Sequence, residues 1–97
     1  MDLFENIVGF DWDEGNVLKN WLKHRVSAGE CEEIFFNEPL LIAEDSKHSQ
    51  IERRYLALGQ TNDNKLLTVI FTIRENKIRI ISARGQNAKE KNFYEKN

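Results

Sequence analysis

A single cysteine and a single proline stand among the 97 residues, and no apolar run approaches the roughly 20 residues that a membrane-crossing helix needs. The lone Cys31 excludes an internal disulfide and fits a reducing compartment. No histidine is marked as its partner, so it reads as a small buried apolar residue rather than a nucleophile. The first residues are acidic, unlike the basic start of a secretory signal, and the protein is expected in the cytoplasm, away from any membrane. Phosphate-cradling glycine loops, dinucleotide fingerprints and nucleophile elbows are missing. The two histidines belong to no spaced ligand set: His48 has only Asp45 and Ser49 beside it, which is too little for a metal. An enzyme made from this inventory works with Arg, Lys, Glu, His and Tyr and without a cofactor.

What is present is the composition of an ordinary globular chain, 40% hydrophobic and 31% charged, expected to form one domain over residues 1–97. Net charge is only −2, but it is unevenly spread. Residues 1–50 carry 11 acidic and 4 basic side chains, and residues 51–97 carry 5 acidic and 10 basic. Such a division suggests a positive face open to phosphate or to an acidic partner, with solvated charges mixed on folding as the plainer alternative.

The chain is organised around residues 65–84. Two runs rich in Ile, Val, Leu and Phe flank Arg74, Glu75, Asn76 and Lys77, the pattern of an antiparallel hairpin in which Asn76 takes the left-handed conformation of a short loop. Ahead of it, residues 10–13 alternate apolar and acidic and suit a short edge strand, with Asp13 as the cap of a helix over 14–24. That helix gathers Val17, Leu18, Trp21 and Leu22 on one stripe, expected to face the core, with Lys19, Asn20 and Lys23 opposite. Ser27 and Glu30 make a capping box for a second helix running to about residue 37, which turns Cys31, Ile34 and Phe35 inward. Strands follow at 40–43 and 54–58, separated by a polar loop at 44–51, and Asn87 caps a last helix over 88–95 anchored by Phe93 and Tyr94. Residues 1–9 give little beyond a brief apolar entry. The expected fold is α+β: two N-terminal helices, a mostly antiparallel four-stranded sheet and a C-terminal helix.

The basic residues that stand out are Arg53, Arg54, Arg74, Arg79, Arg84, Lys89 and Lys91. Each alone reads best as a solvated or ion-paired surface residue, and their gathering on neighbouring strands and the last helix is what raises a functional reading. Arg79 and Arg84 have opposite parity, so they share a face only if the strand ends or bulges between them. His24 ends the first helix, where its charged form suits the helix dipole. An inventory of Arg, Lys, Glu, His and Tyr suits one reaction well, metal-independent cleavage of RNA, in which the ribose 2′-hydroxyl attacks the adjacent phosphate. That chemistry needs a base, cations for the pentacoordinate phosphate and an acid for the leaving oxygen. Arginine is the natural clamp because its fork matches two phosphate oxygens.

Four stretches then belong together: Phe10-Asp11-Trp12-Asp13; Lys23-His24 with Val26-Ser27, leading through Glu32-Glu33-Ile34-Phe35 to Pro39; His48-Ser49 with the run from Glu52 to Gly59; and Ile78-Arg79-Ile80-Ile81-Ser82-Ala83-Arg84. In this order and spacing, over about residues 10–94, they resemble the BrnT family of bacterial toxins. The resemblance implies a RelE-like fold and a ribonuclease toxin of a type II system that cuts RNA to slow translation. It also implies neutralisation by a BrnA-type antitoxin in a hetero-oligomer, with operator DNA bound only through the antitoxin. By position, Arg54, Arg79 and Arg84 become the phosphate-binding set, and Glu52, His24 or Tyr94 the acid-base candidates, with Arg53, Arg74, Lys89 and Lys91 flanking the RNA.

The sequence departs from the family at two places. Gly85 stands where a basic residue is usual, and the tail that follows has only Lys89, Lys91 and Lys96 in place of many arginines, which predicts weaker RNA binding. Arg25 replaces the usual glycine between the first two helices, so that connection is expected to close by another geometry. Three readings follow: an active toxin; a catalytically weak or inactive antitoxin-binding component of an autorepressor complex; and a stand-alone nucleic-acid-binding module, which predicts salt-sensitive RNA binding without cleavage.

Overall fold

The computed structural model describes residues 2–48 and 51–97, with the side chain of His48 outside that set; Ser49, Gln50 and the expectations that involved His48 therefore lie beyond it. The elements are β1 (Gly9–Asp11), α1 (Glu14–His24), α2 (Ala28–Glu33), β2 (Leu41–Glu44), β3 (Tyr55–Gln60), β4 (Leu66–Arg74), β5 (Lys77–Gly85) and α3 (Ala88–Glu95). Single 3-10 turns lie at Ile34–Phe36 and Ser46–His48.

The central hairpin forms as its sequence predicts. Glu75 and Asn76 make a two-residue loop with φ of 54° and 63°, so Glu75 shares the left-handed conformation expected of Asn76. Two such residues give the turn whose twist matches that of the flanking strands. On β4, Leu67, Val69 and Phe71 are fully buried on one face, where Val26, Cys31, Ile34, Ala57, Ile78 and Ile80 complete the core.

The sheet has five strands in the order β1-β5-β4-β3-β2, not the four expected. The added strand is β1, which pairs parallel to β5 with Phe10 opposite Ile78 and Asp11 opposite Arg79. The alternation at residues 10–13 marks a strand, but three residues hold nothing that fixes their direction. β5 contains the bulge on which the arginine geometry depended. Ile70 pairs with Ser82 while Phe71 pairs with Ile80, so Ile81 is an extra residue on β5. The extra residue resets the alternation: Ile78, Ile80 and Ala83 face the core, and Arg79 and Arg84 both face away.

The helices are capped as expected. Asp13 Oδ1 accepts from the Asn16 amide, and Ser27 and Glu30 exchange the two bonds of a capping box. α2 stops at Glu33 rather than near residue 37, because the chain tightens into the 3-10 turn there. That turn sets Ile34 directly over Gly59, where an added Cβ would come within 2.8 Å of Ile34 Cβ. Arg25 does not close its connection by another geometry. It takes the left-handed conformation itself, with φ 55°, its amide donates to the carbonyls of Asn20 and Trp21, and its guanidinium lies 5.4 Å from the Trp21 ring centroid. The N-terminal residues contribute more than a brief entry, for the Phe4 ring meets Phe35 and Phe71 at 5.9 and 6.1 Å and closes one end of the core.

Two apolar expectations are corrected. The face of α1 turned inward carries Asn20, which is 2% exposed and whose Oδ1 accepts from the Ala83 amide at 3.2 Å. β1 pairs with only the first residues of β5, so the remaining edge of β5 needs a polar partner, and α1 supplies one. The predicted core stripe is thereby turned outward, with Leu18, Trp21 and Leu22 at 57%, 45% and 62% exposure. On α3 only Tyr94 is an anchor, and Phe93 is 59% exposed. Among the described residues no helix is long and apolar enough to cross a membrane.

Candidate nucleic-acid interface

The face of the sheet opposite α2 is laid out in rows by strand register. Asp11 of β1, Arg79 of β5 and Thr72 of β4 form the first row, and Arg54, one residue ahead of β3, continues it by parity. Two rows further along lie Arg84, Thr68 and Leu58. At a rise of about 3.3 Å per residue the two arginine rows are roughly 13 Å apart. The bulge at Ile81 thus places Arg79 and Arg84 on one surface, with Arg54 beside the first.

Arg53, Arg74, Arg79 and Arg84 are each paired with carboxylates of the same chain. Arg79 Nη1 donates to Asp11 Oδ2 at 2.9 Å and its Nη2 to Asp13 Oδ2 at 3.3 Å, so both ends of the guanidinium are engaged. Arg84 grips Glu90 with two bonds of 2.7 and 3.0 Å, and Thr68 Oγ1 and the Asn87 amide donate to the same carboxylate. Burial opposes a charge on Glu90, but these donors outweigh it and bring its carboxyl down to about 2. Arg84 is held above the usual arginine range by its bond to Glu90. Arg74 pairs with Glu52 at 3.0 Å, and Arg53 pairs with Glu44 at 3.6 Å. Arg54 has a partner too.

The acid-base candidates do not converge. Glu52 lies at the Arg54 end, against Arg74. His24 is exposed at the far end of α1, beside Arg25, whose carbonyl accepts from Lys65 just ahead of β4, whereas Glu52 pairs with Arg74 at the other end of β4. Tyr94 lies apart from the other two: its hydroxyl donates to the Pro39 carbonyl at 2.6 Å beside β2, and burial pushes its pKa up. Lys89 and Lys91 are exposed on either side of Glu90, and Arg53 is 75% exposed.

Asp11, Asp13 and Glu90 were missed as parts of this site. Asp13 was read only as the cap of α1, and Glu90 was not singled out, although it completes the capping box of α3 with Asn87. Also missed was a groove of about 530 Å³ between α3 and the β2 edge, lined by Leu41, Ala43, Leu56, Leu58 and Phe93. Among the described residues no three His, Cys, Asp or Glu side chains are placed to hold a metal ion. Cys31 is buried, and desolvation with nearby Glu30 and Glu32 raises its thiol to about 12, which keeps it an unreactive core residue.

The α+β architecture of three helices and a mixed sheet is also that of the Brucella abortus ribonuclease toxin BrnT. Its crystal structure superposes with a TM-score of 0.62 at 23% identity, over 82% of this chain and 97% of that one. At this identity the likeness speaks for the fold. Comparison with curated protein sequences gave no match. Residues 12–90 match the family described as ribonuclease toxin, BrnT, of type II toxin-antitoxin system. The chain belongs to the BrnT family of ribonuclease toxins, a family in which the toxin is paired with an antitoxin.

Proposed function

We infer that the chain, as one RelE-like toxin domain acting in the cytoplasm, cleaves RNA without a metal on the arginine face of its sheet and is neutralised by a BrnA-type antitoxin. The observation that carries the reading is the bulge at Ile81, which puts Arg79 and Arg84 on the face that also bears Arg54. These three arginines bind phosphate oxygens, and the spacing of the rows lets Arg79 and Arg84 address different points along one RNA strand. Glu52 takes the 2′-hydroxyl proton as the 2′-oxygen bonds to phosphorus. The bond to the 5′-oxygen breaks, and that oxygen is protonated from solvent, leaving a 2′,3′-cyclic phosphate and a 5′-hydroxyl. The developing negative charge is met by the guanidinium groups. Arg53, Arg74, Lys89 and Lys91 flank the RNA.

A second reading has its own support. Arg79 and Arg84 are each paired with carboxylates, so phosphate competes with Asp11 and Asp13 or with Glu90 for them. On that reading the chain is a feeble catalyst kept as the antitoxin-binding part of an autorepressor complex.

Purified protein incubated with labelled RNA in EDTA, beside an Arg79→Ala, Arg84→Ala variant, separates the two. Cleavage with cyclic phosphate ends, lost in the variant, supports the catalytic reading. Intact RNA, whether naked or ribosome-bound, and no growth arrest on expression alone overturn it in favour of the second.

A further inference from the structure

We propose that the outward stripe of α1 is the surface on which the antitoxin docks, through an amphipathic helix with an acidic rim. The proposal rests on the chain having an antitoxin partner, as its family does. Leu18, Trp21 and Leu22 stand at i, i+3 and i+4, the spacing by which one helix presents apolar side chains to another. They are turned outward by a specific contact, the bond from the Ala83 amide to Asn20 Oδ1, and not by a loose helix. A contiguous apolar face left open in this way marks an interaction site.

Charge names the occupant. The first 50 residues hold 4 basic side chains against 11 acidic ones, and three of the four, Lys19, Lys23 and Arg25, are exposed on α1 or at its C-cap, with Lys19 next to the stripe and Arg25 over the Trp21 ring. Glu14, in the first turn, is the one acid of the helix. An acidic rim on the partner complements these cations. A second copy of the chain does not, because a twofold contact sets the same lysines against each other. RNA fits less well than protein, since Leu18 and Leu22 offer nothing to phosphate and the Trp21 ring is already faced by Arg25. Asp13, which caps α1, also holds Arg79, so a helix seated on α1 adjoins the arginine face. Docking there gives the antitoxin a route to block RNA.

The test is titration of the full-length protein with purified BrnA-type antitoxin, by calorimetry, for the wild type and for Leu18→Glu, Leu22→Glu. The expected result is at least a hundredfold loss of antitoxin affinity in the variant, with melting temperature and RNA binding unchanged. Lys19→Glu, Lys23→Glu is expected to weaken binding about tenfold at low salt and less at high salt, where rim charges are screened. If the glutamates disturb folding, Leu18→Ser, Leu22→Ser replaces them. Tight binding by the wild type that the variants leave unchanged overturns the surface while sparing the partnership. A wild type that does not bind the antitoxin overturns the partnership and the surface with it. Loss of RNA binding in place of antitoxin binding assigns the stripe to RNA, and a wild-type dimer that the variant breaks assigns it to a second copy; either result overturns the proposal.

Discussion

Arg84 and Glu90 are joined by two parallel bonds, Nη1 to Oε1 at 2.7 Å and Nη2 to Oε2 at 3.0 Å, which tie the first turn of α3 to the end of β5. Glu90 has its carboxyl lowered to about 2, so the unfolded chain takes up this proton more readily than the folded one as pH falls. Its contribution to stability is therefore full above about pH 4.5 and is lost on descending towards pH 2. Glu90→Gln should lower stability at pH 7 by about 1–2 kcal/mol, allowing for the partial exposure of Arg84. It should also flatten the acid limb. Urea unfolding at pH 7 and pH 3 checks both, and equal losses at the two pH values would refute the assignment.

Much of the fold was legible because its signals are local. The hairpin, the bounds of α1 and α3 and the N-caps Asp13, Ser27 and Asn87 depend on residues within four positions of one another. What was not legible depends on partners far along the chain. The stripe on α1 is indistinguishable from a core stripe by periodicity, and only the unpaired edge of β5 decides that Asn20 turns inward. Likewise the parity of Arg79 and Arg84 named a bulge as the condition for a shared face, but no residue type announces one at Ile81. The carboxylates on the arginines were hidden because Asp11 reaches Arg79 through a parallel pairing of residues 68 positions apart.

The pairing of Arg79 with Asp11 and Asp13 sets what phosphate must compete with. Asp11→Asn, Asp13→Asn removes both charges and keeps the α1 cap, since asparagine caps as well as aspartate. RNA affinity should rise, and the salt dependence of binding should steepen by about 0.7 in log–log slope for each further phosphate that the protein neutralises. Both acids are more than a third exposed, so stability should change by less than about 1 kcal/mol. Fluorescence titration of a short single-stranded RNA at several salt concentrations measures the slope. An unchanged slope means that Arg79 does not meet phosphate.

Asn20 bonds to the free edge of β5 through the Ala83 amide. Asn20→Ala leaves the Ala83 amide buried without an acceptor, a loss of about 1–3 kcal/mol. Amide exchange should quicken at Ala83 before it quickens at the core amides of β4, which keep their strand partners on both sides. Hydrogen exchange followed by NMR resolves the two, and uniform quickening along the sheet would show that the loss is global.

Tyr94 distinguishes an anchor from an acid. Its hydroxyl is committed to the Pro39 carbonyl at 2.6 Å, and the residue is only 5% exposed. Tyr94→Phe keeps the ring and removes the bond, so stability should fall by about 1 kcal/mol while RNA cleavage proceeds at the wild-type rate. A tyrosine that protonated the leaving oxygen would, on substitution, slow cleavage by about 10²–10⁴-fold with little change in stability. Melting temperature and single-turnover cleavage, measured on the same preparation, therefore move in opposite senses under the two roles. A lowered melting temperature with intact cleavage places Tyr94 in the fold, as the pin between α3 and β2, and leaves the chemistry to the arginine face.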